Sequence, residues 1–134
     1  MNTVWAWLIA ARVCTLVRDV RAGAVADQGW KDNVGAPLTV AEAISQACAT
    51  AKLRFPREDA KMLAVLARDG VPVPLDTMPH GAAVELTSGR LGLYVGAGVV
   101  ESSGPALCLV PVDQARLVRA WLVPGLAYME RAGS

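Results

Sequence analysis

Arg90-Leu91-Gly92-Leu93-Tyr94-Val95-Gly96-Ala97-Gly98-Val99-Val100-Glu101 decides the fold of this chain. Leu91 to Val95 alternate in the manner of a half-buried strand, Ala97-Gly98 marks a hairpin-like break, and Val99 opens a second β-type run. Similar short runs lie on either side: Ala82 to Leu86 before it, and Leu107 to Val112 after it. Ser88-Gly89 supplies another hairpin break, and Val71-Pro72-Val73-Pro74 reads as an extended connector because proline blocks helix and removes a backbone donor. Asp113 caps a short helical turn through about Val118, and Trp121 to Val123 with Ala127 to Glu130 close the sheet.

The half before Gly70 has a different period. Trp5, Leu8, Ile9, Val13, Leu16, Val17 and Val20 recur at three- and four-residue spacing, which predicts an amphipathic helix, or two short ones, over residues 3 to 21. Between Ala22 and Pro37 the period vanishes and glycines accumulate, which predicts a long loop anchored by Trp30. Thr39-Val40-Ala41-Glu42 is a capping box opening a helix to about Lys52. Pro56-Arg57-Glu58-Asp59 starts another that Gly70 ends, although Met62 to Ala67 also suits a strand. Helices first and antiparallel strands second predict one α+β domain over residues 1–134, helical to about residue 70 and sheet thereafter.

Composition narrows the function. The 134 residues carry a formal net charge of +1 and no basic cluster, which speaks against polyanion binding. Hydrophobic residues reach 54% while charged ones stop at 19%. A small domain has room for only part of that in its core, so protein–protein interfaces become an outlet, although many of these residues are alanines that cost little to expose. Val4 to Ala11 is too short to span a bilayer and lacks the basic flank of a signal peptide, so no membrane span or export is expected. Three widely spaced cysteines (Cys14, Cys48, Cys108) and a single histidine, His80, give neither a disulfide framework nor a metal site, and no cofactor is implied.

The hairpin resembles the His-Val-Gly-Ile-Tyr-x-Gly-x-Gly segment of the NlpC-type, papain-like cell-wall cysteine peptidases. The likeness extends to Val13-Cys14-Thr15-Leu16-Val17-Arg18, similar to the Asp-Cys-x-x-Leu-Val-Arg segment of tail-tip relatives. Pro74-Leu75-Asp76 with Gly81-Ala82-Ala83-Val84-Glu85-Leu86, and Trp121-Leu122-Val123-Pro124-Gly125, also match in the family's order. The resemblance implies N-terminal helices packed on a small antiparallel sheet, with Cys14 at the nucleophile, Arg90 where the family has its catalytic histidine, and Glu101 at the third, orienting position.

An arginine cannot replace that histidine. A guanidinium keeps its proton under all working conditions, which prevents it from passing one to the leaving amine. Arg90 with Glu101 is expected to form a salt bridge in the vacated site, Cys14 reads either as a vestige or simply as a small buried hydrophobe, and His80 sits in a Pro-His-Gly turn. Three functions stay open. The first is a degenerate domain serving as a structural component of a phage or prophage tail tip, made in the bacterial cytoplasm and bound to other hub proteins. The alternative is an active cysteine endopeptidase or amidase cutting peptidoglycan peptides during phage entry, with Cys14 as nucleophile and His80 as base. The third is a small cytosolic binding protein unrelated to phage, since fold does not fix function.

Overall fold

The computed structural model describes residues 4–6, 9, 17–19, 39–49, 52–96, 98–103 and 106–128. Its architecture is α+β. Helices α1 (Val40–Ala49) and α2 (Asp59–Asp69) lie over a sheet whose strands all follow them in sequence except for one edge. Among the described residues the strands are β1 (Val4–Trp5), β2 (Val17–Asp19), β3 (Val71–Val73), β4 (Ala83–Leu86), β5 (Leu91–Tyr94), β6 (Val99–Ser103), β7 (Ala106–Val110), β8 (Leu117–Leu122) and β9 (Leu126–Ala127). Seven of them form one sheet in the order β2-β7-β6-β5-β4-β8-β3, antiparallel throughout except for β2, which runs parallel to β7. The remaining two, β1 and β9, form a separate parallel pair.

Helix α1 begins as its capping box predicts. The Glu42 amide donates to Thr39 Oγ1 at 3.0 Å, and the same hydroxyl donates to the Arg57 carbonyl at 3.2 Å, tying the start of α1 to the approach of α2. The helix is described to Ala49, and residues 50 and 51 lie outside the described residues. Lys52 N–H bonds the Ala49 carbonyl and Leu53 N–H reaches the Cys48 carbonyl, the bond pair of a Schellman ending, with Lys52 at φ 62° where glycine is usual. Helix α2 starts at Asp59, and Gly70 closes it by donating to the Leu66 carbonyl, so Met62 to Ala67 are helical and not strand.

Two cores flank the main sheet. On the helix side, Val40, Ile44, Met62 and Leu66 meet Leu91, Leu93, Val100 and Leu107, all fully buried or nearly so. Each such side chain contributes about 1.5–3 kcal/mol by leaving water. On the far side, Val84, Leu86, Val99 and Leu117 pack with Met78, and Leu75 lies against the same cluster. Gly92 allows the hairpin to close between them: a Cβ there would lie 2.6 Å from Val99 Cγ1 and 3.0 Å from Val84 Cγ2. Gly96, at φ 82°, makes the β5–β6 turn, with Val95 N–H bonding the Gly98 carbonyl.

Several expectations are corrected. Within the helix expected over residues 3 to 21, Val4–Trp5 and Val17–Asp19 are strands. Val17, Arg18 and Asp19 pair with Leu107, Cys108 and Leu109, so the free edge of β7 outweighs the local helical period. Ala6 and Ile9 are helical, as expected, and buried. The Ala22–Pro37 segment, Trp30 included, lies outside the described residues. Val71–Val73, expected as a connector, pairs with Leu122, Trp121 and Ala120 as an edge strand, a position where Pro72 removes no needed donor. After Asp113, whose side chain accepts from Ala115 N–H, the helical turn covers only Gln114–Arg116, and β8 begins at Leu117 rather than near Trp121. Leu126–Ala127 pairs with Val4–Trp5 instead of closing the main sheet.

Candidate functional site

The start of the β5 hairpin sits where three segments of chain converge on one carboxylate. Leu86 N–H bonds the Arg90 carbonyl and shapes the β4–β5 turn, leaving the Arg90 side chain at the threshold of β5. Asp59, the first residue of α2, is buried beside it. Asp59 Oδ2 accepts from Arg90 Nε at 3.0 Å and from Leu91 N–H at 3.3 Å, while Oδ1 accepts from Ala41 N–H at 3.3 Å. Ala41 is in the first turn of α1, so its amide is one of the donors that a helix start leaves without an internal partner. One side chain therefore caps α1, anchors the hairpin and neutralises Arg90. The sequence places Asp59 only in a segment that starts a helix; its three partners stand 18, 31 and 32 residues away.

The expected Arg90–Glu101 pair does not form. Glu101 accepts instead from Arg116 Nη2 at 2.6 Å, and that hydrogen bond raises the Arg116 pKa further above its ordinary value. Strand alternation gives the reason. Leu93 and Val100 are paired and both belong to the helix-side core, whereas Val99 belongs to the far core. Glu101 shares the far face with Val99, across the sheet from Asp59. Ser102 follows Val100 to the helix face, and its Oγ is buried without a hydrogen-bond partner.

Cys14 lies outside the described residues. The helix start that meets Arg90 through Asp59 consists of Thr39, Val40 and Ala41, and Val40 is fully buried. Both described cysteines, Cys48 and Cys108, are free and buried. Burial pushes the Cys48 thiol up to about 11, which keeps it protonated and unreactive near neutrality. His80 is exposed, and its ring stands edge-on to Tyr94 with centroids 6.0 Å apart. Its Nε2 occupies the space that a Cβ on Gly96 would need, which places His80 at the turn end of the β5 strand while Arg90 marks the opposite end. Tyr128 closes that end: its hydroxyl donates to the Gly81 carbonyl at 2.8 Å and accepts from Val123 N–H at 3.0 Å, and burial raises its pKa.

Among the described residues, no group of three His, Cys, Asp or Glu side chains could hold a metal ion, and no helix is long and apolar enough to cross a membrane.

Comparison with solved structures finds a similar chain in RipD from Mycobacterium tuberculosis, described as a non-catalytic NlpC/p60 domain protein with an adaptation to peptidoglycan-binding function. The two are 24% identical with a TM-score of 0.47, over 63% of this chain and 65% of that one. This chain thus spans less than two thirds of its length. No family model matches, and no curated protein matches.

Proposed function

We propose that this chain is a degenerate NlpC-type domain that works as a structural component of a phage or prophage tail tip, joined to neighbouring hub proteins, and does not hydrolyse peptide bonds. One observation carries the non-catalytic half. Arg90, at the hairpin position where the peptidases that the sequence resembles have a histidine, spends its guanidinium Nε on Asp59. A permanently charged group held by a buried carboxylate cannot exchange a proton with a nucleophile or a leaving group. The helix start that meets the hairpin adds support, because it offers Val40 and Ala41 and no thiol.

The tail-tip half is supported by the likeness of Val13-Cys14-Thr15-Leu16-Val17-Arg18 to tail-tip relatives and by an apolar fraction of 54%, which suits a protein surrounded by partners.

Incubation of the purified protein with isolated cell walls tests the first half. No release of stem-peptide fragments is expected from the wild type or from Cys14→Ala. Lysis by the wild type that Cys14→Ala abolishes would establish the hydrolase instead. Affinity capture from lysed, phage-producing cells tests the second half: tail hub proteins should co-purify, and retention on cell walls without lysis and without tail partners would replace assembly by wall binding.

A further inference from the structure

We propose that Asp59 is a built-in occupant of a carboxylate-binding site formed by the Arg90 guanidinium, the Leu91 amide and the Ala41 amide. The inference goes beyond the tail-tip reading and does not depend on it. Its basis is the convergence of three donors from two separate segments on both oxygens of one carboxylate, Oδ1 taking Ala41 and Oδ2 taking the consecutive Arg90 and Leu91.

The cradle is made for an anion and has no other means of satisfying itself. Ala41 and Leu91 are fully buried, so their amides have no access to water, and Arg90 brings a full positive charge to the same point. A buried donor left unpaired costs more than an ordinary hydrogen bond returns, so a vacated cradle favours any small carboxylate that restores the pattern. Arg90 is 52% exposed and gives the cradle a side that faces solvent. In the native chain the occupant is tethered, and its effective concentration exceeds that of a free competitor. The start of the hairpin is thereby closed to outside carboxylates, including the acidic termini of peptides.

The test creates the vacancy. Asp59→Ala removes three heavy atoms of a carboxylate, and formate supplies the same three. Thermal unfolding of Asp59→Ala should shift upward by about 2–5 °C in sodium formate relative to sodium chloride of equal ionic strength, in the manner of a ligand that binds only the folded state. The wild type and the double variant Asp59→Ala/Arg90→Ala should show no such difference. Equal melting of Asp59→Ala in the two salts, or an equal formate response in the wild type, overturns the proposal. Should Asp59→Ala not stay folded in plain buffer, the yield of soluble protein refolded in formate and in chloride makes the same comparison, and equal yields overturn it.

Discussion

Asp59 and Arg90 form an unequal pair: the carboxylate is 7% exposed and serves two backbone amides besides the arginine, whereas the guanidinium is 52% exposed. Breaking the pair from its two ends therefore has different consequences. Arg90→Ala leaves Asp59 with two donors and should cost at most about 1 kcal/mol, within the range of half-exposed ion pairs. Asp59→Ala strands two buried amides and should cost roughly 2–4 kcal/mol. Urea unfolding of both variants measures this order, and a larger loss for Arg90→Ala would contradict it.

Gly92 has its place because β5 and β6 close over it. Gly92→Ala puts a Cβ 2.6 Å from Val99 Cγ1, and the overpacking should cost about 1–3 kcal/mol. Combining it with Val99→Ala should recover part of that loss, so a double-mutant cycle should give a favourable coupling. Strict additivity would mean that the contact is not the cause.

Lys52 holds a φ of 62°, which a side chain adopts at a cost and glycine does not. Lys52→Gly should raise stability by about 0.5–1 kcal/mol, while Lys52→Ala should gain nothing because it keeps the Cβ. Thermal melts of the two variants beside the wild type separate backbone conformation from loss of the lysine charge.

Cys48 gives the stability an alkaline limit. Its thiol is pushed from an ordinary value near 9 to about 11 by burial. Between those values the unfolded chain has released the proton and the folded chain retains it. The folded state then binds more protons, so stability falls as pH rises through this window, by up to roughly 2–3 kcal/mol. Below pH 9 the contribution is constant. Cys48→Ala should flatten the slope between pH 9 and 11, as denaturant titrations across that range would show.

Much of the helix half was legible because its signals are local. The capping hydroxyl of Thr39 and the stop at Gly70 act within four residues of their targets. The β4, β5, β6 and β7 runs were legible for the same reason, since alternation and turn glycines lie within the strands they bound. The helical period over residues 3 to 21 misled at Val17–Asp19, because the open edge of β7, some 90 residues away, offered backbone pairing that no local pattern records.

The sequence by itself determined two helices ahead of the hairpin strands, the glycine-turned hairpin and the arginine at its start. Only the tertiary structure decided what that arginine does. Alternation along β6 turned Glu101 to the far face of the sheet and gave it to Arg116. The packing of α2 against β5 then brought Asp59 to Arg90. Charge partners are chosen by which face a side chain occupies and which elements pack there, and neither is set by neighbours in the chain.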